Sequence, residues 1–467
     1  MFKIPSSEIK GIHCSDEGFF SYKKISRLII NLIYKDKKKQ LVFLMTNNSA
    51  WSIINYISLM KSKHILMMLD ENISDEVFQK YIKLFNPSYV VSFKKFKILE
   101  KLNYKNINKK RYFIFKSVNK IKNYYTNSKC KVMIPTSGSS GEPKTVMLSE
   151  SGIKHNSLSI IKKLEIKKNH VPVIYMPINY SYGMSVLNTH LIKNCNICVT
   201  GYSFLQKSFW EFLKINNCTS FSGVPYTYDV IINLKLYRSF GKDLLIFTQA
   251  GGKLNLKNKN FIFNFLKKKR GVFYVMYGQT EAGPRISILE NSHFLKKKFT
   301  AGKAIPKTKI YVLDKNKKKI FNKKGVVFIE SKSNMIGYAN KYTDIPKKGK
   351  IISLLNTRDI GKITRDGFLS IYHRNDQEVK IHGVRINLLD IKKSVGFNDL
   401  IITSKDNKIY IFYTQKIDFL NIFKKVSKKY NLNISVFKFI KIKNIRMLKN
   451  NKVDMSYFNM LINENNT

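Results

Sequence analysis

From about residue 20 to residue 370, short apolar runs alternate with helix-length amphipathic segments, and this alternation constrains the fold more than any other feature of the chain. The runs are "KQLVFLMT" (39–46), "ILMMLD" (65–70), "PSYVVSF" (87–93), "VPVIYMP" (171–177), "NICVTG" (196–201), "CTSFSGVP" (218–225), "DLLIFTQAGG" (243–252) and "GVFYVMYG" (271–278). Between them lie stretches of helical character at 50–63, 75–84, 151–163, 184–193 and 203–215. Apolar strands separated by helices predict an α/β body of parallel sheets covered by helices on both faces. Past residue 300 the strands crowd together and turns shorten ("KIYVLD", "GVVFIES", "GKITRDGFLSIY"), which predicts a small antiparallel, barrel-like subdomain over about 300–374. After "YHRNDQE" the pattern changes again. We expect a large N-terminal domain over 1–374 and a small C-terminal α+β domain over 375–467, a division that suits 467 residues.

The charge is the second feature that needs an account. Lys and Arg number 84 against 30 Asp and Glu, a formal net charge of +54. Such an excess ordinarily points to nucleic acid or an anionic membrane. Here the cations are nearly all Lys and are spread along the whole chain, and Lys lacks the planar fork that suits Arg to phosphate and base recognition. We read the excess as compositional and expect no specific nucleic-acid partner; a basic nucleic-acid-binding protein is the alternative of another class. No apolar run approaches the roughly 18 to 20 residues that cross a bilayer. The first residues lack a signal-peptide pattern, so a cytoplasmic protein is expected. The five cysteines fit a reducing compartment, and the C-x-x-C at Cys195 and Cys198 reads as core packing rather than a metal site.

Four clusters carry chemistry. In "PTSGSSGEPKTVML" (135–148), residues Thr136, Ser137, Gly138, Ser139, Ser140, Gly141 and Lys144 follow a strand and place hydroxyls, flexible backbone and a cation in one turn, which suits a polyphosphate. The stretch is one residue from a Walker loop, but Pro143 stands where that loop needs a glycine with a free N–H. Next, "YGQTEAGP" contributes Tyr277, Gly278, Gln279, Thr280 and Glu281 at a strand end, a phosphate donor beside a hard oxygen ligand for Mg²⁺. Third, Asp359 and Arg374 offer an acceptor for ribose hydroxyls and a cation for phosphate or ribose, and fourth, Lys452 stands in a turn near the C-terminus.

In this order and spacing, the clusters resemble the adenylate-forming superfamily of acyl-CoA synthetases, carrier-protein adenylation domains and luciferase-like enzymes, over about residues 40–460. The family loop T-S-G-[ST]-[ST]-G-x-P-K-G is met by Thr136 to Lys144, with Thr145 in place of the final glycine, and its proline is a regular member. Y-G-x-T-E is met by Tyr277 to Glu281, T-G-D becomes Thr357-Arg358-Asp359, G-R-x-D becomes His373-Arg374-Asn375-Asp376, and G-K becomes Asn451-Lys452. "TQAGG" (248–252), with Gly251 and Gly252, falls at an adenine-contact position.

The resemblance implies a ligase that uses ATP and Mg²⁺ to activate a small-molecule carboxylic acid as an acyl-adenylate, releases pyrophosphate, and passes the acyl group to a phosphopantetheine thiol. The acceptor is CoA or a carrier protein, such as an acyl carrier protein. The 136–144 loop would hold the β and γ phosphates, Thr280 the α phosphate, Glu281 the Mg²⁺, Asp359 and Arg374 the ribose, and Lys452 the reacting carboxylate and phosphate oxygens. Asp376 matches the hinge about which the small, mobile C-terminal domain swings, and Gly383 the thiol channel. Tyr180, Tyr182, Met184, Val224 and Tyr226 would line the acyl pocket. Amino-acid-activating relatives carry an Asp, near Tyr180-Ser181, that pairs the substrate ammonium. Its absence disfavours α-amino acids, because a buried unpaired ammonium is costly. The run "NYSYGMSVLNTHL" also looks like relatives of cell-surface polysaccharide modification. Arg358, His373 and Asn451 replace family glycines, so a noncatalytic nucleotide sensor is the remaining alternative.

Overall fold

The computed structural model describes residues 1–29, 38–108, 112–118, 125, 128–136, 144–345, 349–374, 378–381, 384–388, 391–392, 400–406, 408–415, 418–420, 423–424, 433–448 and 453–464. Among these residues the strands form six sheets. The largest runs in the order Gly337–Ala339, Lys144–Ser149, Cys130–Thr136, Ile65–Asp70, Leu41–Thr46, Tyr89–Ser92, Phe113–Ser117, Tyr104–Asn108. Its centre is parallel, and "LVFLMT" of Leu41–Thr46 is buried along its whole length, as a strand covered on both faces requires. Its flanks are antiparallel hairpins.

A five-stranded sheet repeats the design. Ser220–Gly223, Ile246–Gln249 and Val272–Tyr277 run parallel, and Ser287–Leu289 and Lys303–Ala304 close it antiparallel. The parallel sheets expected from the alternation are present, with antiparallel strands at their edges. Wherever the connection is too short for a crossover helix, as between Cys130–Thr136 and Lys144–Ser149, the chain can only turn back on itself. A further four-stranded sheet joins the hairpin Gly11–Cys14 and Gly18–Ser21 to Ile197–Val199 and Val173–Ile174.

The helices follow the alternation. Asp75–Phe85 starts at Ser74, whose hydroxyl accepts from Val77 N, carries Asp75 and Glu76 in its first turn, and buries Phe78, Tyr81, Ile82 and Phe85 at helical spacing. Ser181–Ile192 is different, because Ser181 to Leu191 are all buried. A helix with no solvent face has no polar stripe to reveal its start, which is why it begins three residues before the stretch read from the sequence.

The expected barrel-like subdomain is an antiparallel sheet of Thr308–Leu313, Gly325–Ser331, Leu354–Ile363 and Leu369–Arg374. Along Leu354–Ile363 buried and exposed residues alternate, the mark of a sheet with one wet face. Farther along, Glu378–Ile381 pairs with Val384–Asn387, and Leu400–Lys405, Lys408–Tyr413 and Phe437–Lys441 form a three-stranded sheet with the helix Met455–Glu464. Two apolar clusters made only of residues beyond 378, around Ile386 and Ile411 and around Phe412 and Phe458, give this segment cores of its own. The proposed boundary near 375 and the hinge residue Asp376 lie outside the described residues.

Candidate active site

A cavity of about 450 Å³ opens where the parallel strands of the five-stranded sheet end. Gln249 and Tyr277 are the last residues of their strands, and the turns that follow, Ala250 to Leu254 and Gly278 to Glu281, form two of its walls. Thr136 and Lys144 form a third. These two residues are cross-strand partners closing a hairpin, and the Thr136 hydroxyl donates to Lys144 O at 3.1 Å. The tip of that hairpin, with Ser137, Gly138, Ser139, Ser140 and Gly141, lies outside the described residues. The topology separates the loop from a Walker loop, which leads from a strand into a helix.

The turn after Tyr277 is fixed by a close backbone approach: a Cβ on Gly278 would stand 2.1 Å from Pro284 O. The Thr280 and Ser181 hydroxyls share a hydrogen bond of 2.9 Å, so the floor of the cavity joins this turn to the buried helix. Glu281 accepts from the Tyr338 hydroxyl at 2.9 Å, and Tyr338 lies on the strand that extends the hairpin beside Val146.

Opposite stands Asp359, buried, with its carboxylate accepting from the Tyr277 hydroxyl and its N–H donating to Thr357 Oγ1 at 3.1 Å. Arg374 faces Asp359 across the strand register. Nothing is described of its side chain or that of His373. Arg358, which also lines the cavity, has φ +61°, the left-handed region where glycine is at ease. The glycine of the family pattern at this position thus answers a backbone demand that Arg358 meets under strain.

The acyl-pocket residues divide. Tyr180 and Tyr182 line the cavity, and burial pushes the Tyr180 phenol up to about 12. Gly251, at φ +85°, sits between Tyr180 and Val224, with a Cβ there 2.9 Å from Tyr180 Oη and 3.1 Å from Val224 Cγ1. Val224 itself faces an adjoining cavity of about 370 Å³ that shares Tyr180. Met184 is buried beside Asn156 and Asn188 in a separate void, and Tyr226 is exposed on the first turn of Pro225–Asn233. Neither Met184 nor Tyr226 lines the main cavity: Met184, two helix positions after Tyr182, is turned by about 200° to the other side of the helix, and Tyr226 is exposed. Lys452 and Gly383 lie outside the described residues.

The structure adds residues that no motif marked. Lys253 and Lys259 line the cavity beside Gly252, and the Lys259 amine is buried and donates to Lys298 O at 3.0 Å. Burial first, and repulsion from Lys253 second, lower it to about 8. Among the described residues the ionisable lining is therefore Lys144, Lys253, Lys259 and Arg358 against Glu281 and Asp359, apart from the tyrosines. It is an anion's cavity with two fixed acceptors. In sequence, both lysines were hidden by the Lys-rich background.

Comparison with known proteins agrees with this arrangement. Residues 25–339 match the model of the AMP-binding enzyme family. The chain belongs to that family. Among curated relatives, the D-alanine–D-alanyl carrier protein ligase of Listeria monocytogenes is 24% identical over 331 residues, covering 67% of this chain and 62% of the relative. Cyclosporin synthetase of Tolypocladium inflatum is 22% identical over 301 residues, 59% of this chain. The match spans 2% of that synthetase, so this chain corresponds to a small part of such relatives. The AMP-binding fold extends beyond the matched region. The o-succinylbenzoate CoA synthetase of Bacillus subtilis, in complex with its acyl-adenylate intermediate, superposes with a TM-score of 0.71 at 15% identity, covering 95% of this chain and 93% of that one.

Proposed function

We propose that this chain converts a carboxylic acid to its acyl-adenylate at the expense of ATP, then delivers the acyl group to a phosphopantetheine thiol of CoA or of a carrier protein. One observation carries the reading: three sequence clusters spread over more than 200 positions, around Lys144, Thr280-Glu281 and Asp359, line a single cavity. In the first step a carboxylate oxygen bonds to the α phosphorus, the bond from that phosphorus to the bridging oxygen breaks, and pyrophosphate leaves. In the second, a thiol sulfur bonds to the acyl carbon, the acyl–phosphate bond breaks, AMP leaves and the thiol proton passes to solvent.

Both reactants of the first step are anions, so the barrier falls only where cations and donors meet the charge spreading over the α phosphate. Lys144 supplies a cation at the hairpin base, Thr280 a hydroxyl held by Ser181, and Asp359 an acceptor for the ribose held by Tyr277. Lys452 is proposed to bridge the reacting oxygens, with Asp376 as the hinge and Gly383 on the thiol route.

The donor set at Glu281 suits Mg²⁺. With Tyr338 on one oxygen its second oxygen remains, and among the described residues no group of three or more His, Cys, Asp or Glu surrounds it. A magnesium ion here would draw its other ligands from phosphates and water, as this ion does beside nucleotides, and would supply charge neutralisation.

The test is pyrophosphate–ATP exchange with a panel of carboxylates, followed by addition of CoA or a phosphopantetheinylated carrier protein. Acid-dependent exchange, and AMP release on thiol addition, are expected. ATP binding without exchange for any acid would leave a nucleotide sensor instead.

A further inference from the structure

Among the described residues the largest fully buried side chain is a cation, Arg285. It follows the Tyr277–Glu281 turn, and its guanidinium hydrogen bonds to the Ser185 hydroxyl and to the Met276 sulfur, with Nε at 3.2 Å from the latter. Its central carbon lies 4.6 Å from the Tyr182 ring centroid. No carboxylate among the described residues pairs with it, and the charged state it holds is disfavoured by burial. An arginine stays protonated in proteins even so. A buried cation without a counter-ion is expensive, and the Ser185 and Tyr182 hydroxyls, a thioether and a ring return only part of the cost.

What lies on the other side of its contacts gives the expense a use. Tyr182 and Met276 both line the cavity, so the charge stands one side chain's thickness behind the wall. The same wall carries Tyr180 and Ser181, neither of which can pair an ammonium by charge, and the Ser181 hydroxyl is engaged by Thr280. The two carboxylates of the lining, Glu281 and Asp359, already accept from Tyr338 and Tyr277.

We propose that Arg285 is a positioning residue for substrate choice: its charge behind Tyr182 and Met276 sets the acid-binding end of the cavity against any carboxylic acid that bears an ammonium group. The favoured substrates are acids whose remainder is neutral or anionic. This rests on the adenylation reading above and sharpens it. An ammonium on the cavity side of Tyr182 would stand about 8 Å from the guanidinium, and like charges at that distance in a protein interior repel enough for roughly a twentyfold preference.

The experiment is pyrophosphate exchange on matched pairs that differ only in the amino group, butanoate with 2-aminobutanoate and 3-phenylpropanoate with phenylalanine, for the wild type, Arg285→Lys and Arg285→Met. The wild type is expected to prefer the non-amino member by roughly twentyfold or more. Arg285→Lys keeps that order. Arg285→Met, checked by thermal unfolding for an intact fold, cuts the ratio by roughly tenfold while exchange with the neutral acid stays within a few-fold. A residue that only held the core together would lower both members equally, and an unchanged ratio in a folded Arg285→Met overturns the proposal. Should Arg285→Met fail to fold, the wild-type ratio decides, since parity between amino and non-amino acids is also contrary to it. Exchange with amino acids at parity removes the role of Arg285 and leaves adenylation standing; no exchange with any acid removes both.

Discussion

Around Glu281 and Asp359 the cavity wall is made of polar side chains on strands and turns, with the two carboxylates each held by a tyrosine hydroxyl. Around Tyr180 and Tyr182 it is made of aromatic rings at the start of a helix that is buried almost throughout, with a cation hidden behind them. The first end would meet a nucleotide, the same for every member of such a family, and is written in short contiguous motifs. The second would meet the acid. It is assembled from single positions whose meaning depends on what packs behind them, so two chains can share the first end and differ in the second.

That contrast can be broken at several points. The largest effect is expected from Lys452→Ala, which should lower pyrophosphate exchange by roughly two to four orders of magnitude, since a cation on the reacting oxygens acts mainly in the transition state. Full exchange in that variant would take the lysine out of the chemistry. Next comes Asp359→Ala. It removes the acceptor that Tyr277 holds, and the KM for ATP should rise by roughly ten- to a hundredfold with little change in the preference among acids. A shift in acid preference of the same size would mean that the two ends are not separable.

The reach of the sequence follows the same division. Alternation of buried and amphipathic stretches announced most strands and helices, because the parallel centre of a sheet must be apolar on both faces, as in "LVFLMT". It did not announce the antiparallel flanks, which depend on connection length, or the first residues of Ser181–Ile192, which lack a polar stripe. Of the site, Lys144, Thr280, Glu281 and Asp359 were legible because chemistry and spacing coincide in them. Arg285, Lys253 and Lys259 were not. One of 84 basic residues gains meaning only from its burial and neighbours, and sequence proximity to Tyr182 does not fix which way the side chain of Met184 points.

Two smaller effects probe the charge at the nucleotide end. Arg358→Gly relieves a left-handed backbone and should raise stability by about 1 kcal/mol, read as an upward shift of the urea midpoint; a fall would show that the side chain contributes more than its backbone costs. The smallest concerns Lys259. With its amine near 8 in the folded protein, the unfolded chain retains a proton there that the folded chain has released, up to the ordinary lysine range near about 10.4. Between those values the unfolded state binds more protons, so stability gains as pH rises. Urea unfolding at pH about 8, 9 and 10 should show a shallower rise in Lys259→Met than in the wild type. An identical slope would place the amine's titration elsewhere.

The central claim, that this cavity joins an acid to the α phosphate of ATP, is tested most directly by single-turnover quench with ATP labelled in its α phosphate. The account predicts that label appears in an enzyme-bound acyl-adenylate in step with pyrophosphate, only when a carboxylic acid is present, and as free AMP only after a phosphopantetheine thiol is added. Bound ATP that persists unchanged with every acid, or AMP formed without one, would contradict it.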